Sequence, residues 1–310
     1  MKACNAQTAA DMAVNVEGCA LVLEGGGMRA SYTAGAVATL LERNINFPVV
    51  YGISAGSTHA ANYLSRDVAR TRASFVDIVE DPRLGGIGTF LRGRGYFDAQ
   101  YLYMDLSRGL VGTGATMEYD WDAYLANPAD FRIDGFDRAT GETITWSRRD
   151  VGCLEDLLCR VRASSTMPFI MPPPTFDGRT YMDGGLGTSW GIPLRAALDE
   201  GWARVFVVRT QPRGYRKRPA DPVMRALYRI VYRRWPKVVE AALARWAHYN
   251  RICDELEHLE RTGRAYVFYP EDMPVANTST DHDALRAAYE MGYAQAQRDA
   301  DGWERWLGLR

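Results

Sequence analysis

Cys19-Ala20-Leu21-Val22-Leu23 is a continuous apolar run that stops at Glu24-Gly25-Gly26-Gly27-Met28-Arg29, and Val49-Val50-Tyr51 is a second that runs into Gly52-Ile53-Ser54-Ala55-Gly56. Short apolar runs without polar alternation suit strands buried on both faces. Between them Tyr32, Ala36, Leu40 and Leu41 recur at helical spacing, and Pro48 ends the connection. Helical spacing resumes from Ala55 to about Ser65. Strand, helix, strand, helix is a βαβ unit, which predicts an α/β fold with a parallel sheet and right-handed crossovers.

Outward from this unit the pattern changes twice. Residues 1–18 lack periodicity and read as a tail. The stretch 81–114 is rich in glycine and irregular, and long loops inside a compact domain are usually functional. Its apolar residues, among them Leu84, Phe90, Leu91, Phe97 and Leu102, are candidates to line a channel or form a lid, although more than half are expected to pack in the core. Phe131–Ser147 reads as two strands around Ala139-Thr140-Gly141-Glu142, Leu154–Val161 as helix, and Val205–Val208 as another strand. The last third is mostly helical. Asp221-Pro222 opens a helix that Pro236 is expected to end, a second runs to about Arg261 before Gly263, and a third spans Asp281–Arg298, with a strand at Ala265–Tyr269. The expectation is one domain over 1–310, with a core at about 19–212 and a helical extension at about 213–310.

Composition removes several classes of function. Of 310 residues, 47% are hydrophobic, which suffices for a large core and excludes disorder. A net charge of −1 lacks the basic excess of a nucleic-acid binder, so no nucleic-acid partner is expected. Five cysteines without a CxxC pair and four histidines without HExxH predict neither a structural zinc site nor a zinc hydrolase. No apolar run reaches the length of a membrane span, and the first residues contain no signal-peptide h-region, so a cytoplasmic protein is expected, with no metal or cofactor.

Three motifs carry chemistry. Gly52-Ile53-Ser54-Ala55-Gly56 is a G-x-S-x-G at a strand-to-helix turn, where a nucleophile on a strained backbone has glycines at the positions pressed against neighbouring chain. Ser54 then sits at a helix start, whose partial positive charge favours an alkoxide. Gly25-Gly26-Gly27-Met28-Arg29 leaves uncovered amides at another helix start, an anion site that serves acyl transfer as an oxyanion hole together with the Ala55 amide. The same glycines fit a dinucleotide fingerprint, but that reading needs a carboxylate at the end of the second strand, and Val49–Ser54 has none. The third motif is Asp183-Gly184-Gly185. It matters because the histidines are poor bases for Ser54: His59 lies five positions on along the helix and should face away, His248 and His258 belong to a distant helix, and His282 starts the last one.

Together, in this order, Gly25–Arg29, Gly52–Gly56 and Asp183–Gly185 resemble the patatin-like phospholipase family, as do Arg162-Ala163-Ser164-Ser165 before the aspartate and Ala139–Glu142. The resemblance covers about residues 19–212. It implies a three-layer α/β/α fold with a mainly parallel central sheet, and a Ser–Asp dyad in place of a triad. In it Ser54 is the nucleophile and Asp183 the base, with Gly26, Gly27 and Met28 near the oxyanion hole. The implied activity is hydrolysis of lipid acyl esters, with a non-catalytic acyl-binding module as the alternative. This chain departs from the pattern at Ala30, where the family's glycine loop ends in glycine, and after Gly185, where Leu186-Gly187-Thr188-Ser189-Trp190 replaces an asparagine-rich turn.

Residues 204–251 hold thirteen Lys and Arg against two carboxylates, Asp221 and Glu240. In the helix from Pro222, Arg225, Arg229 and Arg233 share one face and Met224, Tyr228, Val231 and Trp235 another. Such a basic amphipathic helix suits peripheral contact with an anionic membrane. Its plain alternative is a solvated arginine face whose apolar side packs on the domain.

Overall fold

In the computed structural model, which describes residues 12–109 and 117–310, the first apolar run forms β1 (Cys19–Leu23) and the glycine loop leads into α1 (Ala30–Glu42). The second run forms β2 (Val49–Gly52), followed by α2 (Ala55–Leu64). After a stretch of short helices come β3 (Asp130–Asp137), β4 (Thr143–Trp146), α3 (Leu154–Ser164), β5 (Thr175–Phe176), β6 (Arg179–Asp183) and β7 (Arg204–Val208). The last third adds α4 (Pro222–Val231), α5 (Pro236–Arg261), β8 (Ala265–Phe268) and α6 (His282–Leu307). Residues 1–11 of the expected tail, and 110–116 with Gly112 and Gly114 of the glycine-rich stretch, lie outside the described residues.

The sheet runs β5-β6-β3-β2-β1-β7-β8, with β4 beside β3. From β3 to β8 all pairings are parallel, and β4, β5 and β6 form an antiparallel edge. Alternate residues of β1 face two helical layers, because successive side chains of a strand point to opposite faces. Cys19, Leu21 and Leu23 pack with Tyr32, Leu40, Leu285 and Trp303 of α1 and α6. Ala20 and Val22 pack with Ile252 and Leu256 of α5. The fold is thus a three-layer α/β/α arrangement, and each large aliphatic side chain it buries contributes about 1.5–3 kcal/mol.

Two details differ from the sequence expectation. Pro236 opens α5 at its first turn rather than closing α4, which ends at Val231. A first-turn proline loses no helical hydrogen bond, because its missing N–H would be unpaired there anyway. The final helix also runs past Arg298 to Leu307, since Ala300, Trp303 and Leu307 continue its buried face.

The register sets the site. Gly52 pairs with Ile133, and Gly135 pairs with Asp183. Ser54, two residues beyond Gly52, therefore stands level with Asp183 on the opposite side of β3. On the far face, α6 crosses α1 where Gly292 meets the Tyr32 carbonyl and Gly35 meets the Tyr293 amide, so that a Cβ on either glycine would overlap backbone. We expect Gly292→Ala to lower stability by about 1–3 kcal/mol through overpacking, measured by urea denaturation; an unchanged midpoint would refute this crossing.

Candidate active site

Ser54 connects β2 to α2 with φ 54° and ψ −125°, a conformation costly for a residue with a side chain. Its neighbours explain how the turn closes. A Cβ on Gly52 would strike the Gly56 carbonyl, and one on Gly56 would strike the Leu23 carbonyl. The turn is also held from outside. The Ser54 amide donates to Ser164 Oγ at 3.1 Å, and the Ser54 carbonyl accepts from Ser57 Oγ at 2.6 Å and Ser165 Oγ at 3.0 Å. The motif Ser164-Ser165 at the end of α3 thus fixes the backbone of Ser54.

Ser54 Oγ donates to Asp183 Oδ2 at 2.8 Å, and both residues are buried. The other carboxylate oxygen accepts the Gly185 amide at 2.8 Å, and a Cβ on Gly185 would crowd that oxygen and the Arg245 guanidinium. A Cβ on Gly184 would press into the Asp134 backbone. Burial holds the Asp183 carboxyl above the usual aspartate range, while Arg245, the Ser54 hydroxyl, the Gly185 amide and Lys217 pull the other way.

No histidine bonds to Ser54 or Asp183 among the described residues. His59 is buried against Thr33 Oγ1 at 3.0 Å and the Ala30 carbonyl at 3.2 Å, and burial pushes it down to about 3. His282 pairs with Glu80 at 3.3 Å and lies near Asp77 at 3.7 Å. His248 stacks on Trp190 and His258 is exposed.

The amides of the glycine loop divide into two groups. The Gly25 amide donates to the Gly191 carbonyl, that of Met28 to the Asn277 carbonyl at 3.0 Å, and that of Arg29 to Gly26. Met28 therefore has no free amide for an oxyanion, contrary to the sequence expectation, because the segment before α6 folds onto the loop. The amides of Gly26, Gly27 and Ala55 have no protein acceptor among the described residues. Gly27 takes φ 55°, and a Cβ there would overlap the Asn277 carbonyl.

What anchors this loop was not visible from motif spacing. Glu24, the residue before Gly25, is buried with Arg209 at the end of β7. Arg209 Nε donates to Glu24 Oε2 at 2.7 Å, the Tyr249 hydroxyl to Glu24 Oε1 at 2.6 Å, and the Thr210 amide to Oε2 at 2.7 Å. Burial works against the Glu24 carboxylate, but these donors outweigh it and hold its pKa below the usual range. Thr210 Oγ1 also donates to the Gly25 carbonyl at 2.9 Å.

Two cavities meet at Ser54. One is mainly apolar and lined by Ala55, Phe75, Leu84, Phe97, Leu102 and Met171, with Met28 and Asn277 at its edge. It uses three of the residues singled out from the glycine-rich stretch, whereas Phe90 and Leu91 are exposed. The other is polar and contains Asp183, Arg29, Lys217, Arg218 and Arg245. No group of His, Cys, Asp or Glu among the described residues is arranged to hold a metal ion.

Residues 21–198 match the family model of patatin-like phospholipases, and residues 235–308 match a domain of unknown function, DUF6363. An uncharacterized protein of Escherichia coli (strain K12), YjjU, is 25% identical over 202 residues, which is 62% of this chain and 52% of that protein. Lysophospholipase NTE1 of Mycosarcoma maydis is 25% identical over 308 residues, or 92% of this chain and 15% of that protein. The chain thus spans about half of the first relative and a small part of the second. The crystal structure of VipD from Legionella pneumophila aligns over 91% of this chain and 66% of its own, with a TM-score of 0.48 and 16% identity.

Removing one partner of the Glu24–Arg209 pair leaves an uncompensated buried charge. Arg209→Met is expected to cost about 3–5 kcal/mol of stability in chemical denaturation, and a loss below about 1 kcal/mol would show that the pair does not hold the loop.

Proposed function

The chain belongs to the patatin-like phospholipase family, and from that membership and the geometry at Ser54 we propose that it hydrolyses lipid acyl esters through a Ser54–Asp183 dyad. The observation that carries this reading is the 2.8 Å hydrogen bond from Ser54 Oγ to Asp183 Oδ2, made by a serine in a strained turn. Asp183 accepts the Ser54 proton as Oγ attacks the ester carbonyl carbon. The oxygen that gains charge is met by the amides of Gly26, Gly27 and Ala55, and each such donor is worth about 2.7–4 kcal/mol in the transition state. As the tetrahedral intermediate collapses, the C–O bond to the alcohol breaks and Asp183 returns its proton to the leaving oxygen. Water then gives a proton to Asp183 as it attacks the acyl-enzyme, and Asp183 passes that proton to Ser54 Oγ as the C–Oγ bond breaks and the fatty acid leaves. An ordinary carboxylate is a weak base for a serine hydroxyl. Its upward shift by burial, the α2 dipole and the amides together offset that mismatch.

The apolar cavity beside Ser54 supports an acyl chain as the group transferred, and the name of the fungal relative points the same way. No helix among the described residues is long and apolar enough to cross a membrane. Contact with lipid then falls to α4, none of whose residues is buried. Val223, Leu227 and Ile230 face solvent, while Tyr228 packs on Phe169 and Tyr232 and, with Met224, lines the polar cavity. Arg225 and Arg229 beside this apolar strip suit an anionic surface.

Ser54→Ala is expected to abolish turnover of p-nitrophenyl esters from acetate to palmitate, and Asp183→Asn to lower it by about 100-fold or more, with folding intact by circular dichroism. Full activity in either variant would overturn the dyad. Because the base must be ionised, kcat/KM should fall on the acid side through a pKa above the ordinary aspartate value of 3.8. Arg245→Gln, which removes the largest opposing charge, should move that acid limb to higher pH; a limb that stays in place or moves down would contradict the assignment of Asp183 as base. Co-sedimentation with anionic liposomes at low salt should be lost at high salt and in Val223→Glu/Ile230→Glu, and equal recovery with neutral liposomes would remove α4 from the account.

A further inference from the structure

The polar cavity is unusual in its charges. Asp183 is the one carboxylate among its lining residues, against Arg29, Lys217, Arg218 and Arg245. Arginines close by in sequence are neutralised: Arg209 pairs with Glu24, Arg213 with Glu260, and Arg216 with Asp254 and Glu257. None of the four cavity cations forms an ion pair among the described residues. Lys217 and Arg245 are instead held by neutral contacts or by room left for them. Lys217 Nζ lies 4.2 Å from the centre of the Tyr249 ring, and its backbone exchanges hydrogen bonds with the Asn250 side chain at 2.8 and 3.0 Å. A terminal nitrogen of Arg245 occupies the space beside Gly185 and Gly191, 2.7 and 3.0 Å from where their Cβ atoms would be. Arg29 Nε is buried without a hydrogen-bond partner among the described residues.

Like charges gathered in a partly buried cleft repel one another unless an anion joins them. The Lys217 ammonium registers that cost: burial, then Arg245 and Arg29, push it down to about 7, with Glu24 opposing. We propose that this cationic lobe is a subsite for a phosphate group that carries no compensating ammonium, the headgroup of an acidic phospholipid. The proposal rests on the acyl-hydrolase reading for the position of the ester. With an acyl chain in the apolar cavity and its carbonyl at Ser54, the headgroup side of the ester enters the polar cavity. A phosphodiester there meets guanidinium groups suited to its oxygens. A phosphocholine brings a quaternary ammonium into the same cations and is disfavoured by like-charge contact.

The test uses the full chain carrying Ser54→Ala, so that binding is read without turnover, and short-chain dihexanoyl lipids kept monomeric, so that no membrane surface contributes. Isothermal titration calorimetry at low salt should give about tenfold tighter binding of the phosphatidylglycerol than of the phosphatidylcholine. Adding Lys217→Gln and Arg218→Gln should erase that ratio. Adding Lys217→Arg and Arg218→Lys instead should keep it, which separates charge from fold. Equal affinity for both lipids in the Ser54→Ala protein, or an unchanged ratio after neutralisation, would overturn the proposal. Inorganic phosphate binding as tightly as the phosphatidylglycerol would support the anion site and assign it to the free ion. If the unmodified chain turns over no ester at all, the hydrolase reading fails while the binding ratio still reports on the subsite.

Discussion

The buried contact of Glu24 with Arg209 and Tyr249 is the constraint on which the site hangs. A carboxylate and a guanidinium taken out of water lose several kcal/mol of hydration each, and only close, complete pairing recovers it. Here the pairing is close, with both oxygens of Glu24 engaged by three donors. Because Glu24 directly precedes Gly25, satisfying that charge fixes where the glycine loop leaves the sheet. The loop then lies beside Ser54 because β1 and β2 end level, Leu23 opposite Gly52. A charge pair thus does for the loop what hydrophobic packing does for the strands.

Across Ser54 the surroundings change character sharply. On one side are Phe75, Leu84 and Phe97, and on the other Lys217, Arg218 and Arg245. Asp183 lies at the boundary, which is why its ionisation answers to opposing influences. Burial favours the protonated acid and the cations favour the carboxylate, with burial prevailing. In the proposed dyad, a carboxyl held this way is a stronger base than an ordinary aspartate. The same boundary gives an ester two chemically distinct ends to match.

Local constraints leave a trace in the sequence, and partnerships between distant residues do not. The apolar runs at Cys19 and Val49 and the helical spacing between them predict β1, α1, β2 and α2, because burial on both faces leaves its mark on consecutive residues. Gly52, Ser54 and Gly56 are legible since the turn's steric needs act within five consecutive residues. The strand β6 (Arg179–Asp183) has no signal of its own in the sequence, because Arg179 and Thr180 are polar and only Tyr181 and Met182 form an apolar pair. Met28 looked like a free donor because the carbonyl that takes its amide belongs to Asn277, nearly the whole chain away. Glu24 read as the end of a strand, and nothing near it in sequence hints at Arg209. Ser164 and Ser165 entered through family resemblance alone, and their hydrogen bonds to the Ser54 backbone supply the physical reason for them. Arg245 and Lys217 appeared only as part of a basic stretch, since convergence on one cavity is a property of the fold.

The reach of Asn277 and Tyr249 into the glycine loop bears on how such a site is inherited. Residues 21–198 contain the serine, the aspartate and the loop, but not Arg209, Tyr249 or Asn277. Transplanted alone, that segment would carry a buried glutamate with no counter-charge and a loop amide with no acceptor. A change at Tyr249 or in the backbone at Asn277 would remove a hydrogen bond from the glycine loop or from Glu24 before it, without touching a motif residue.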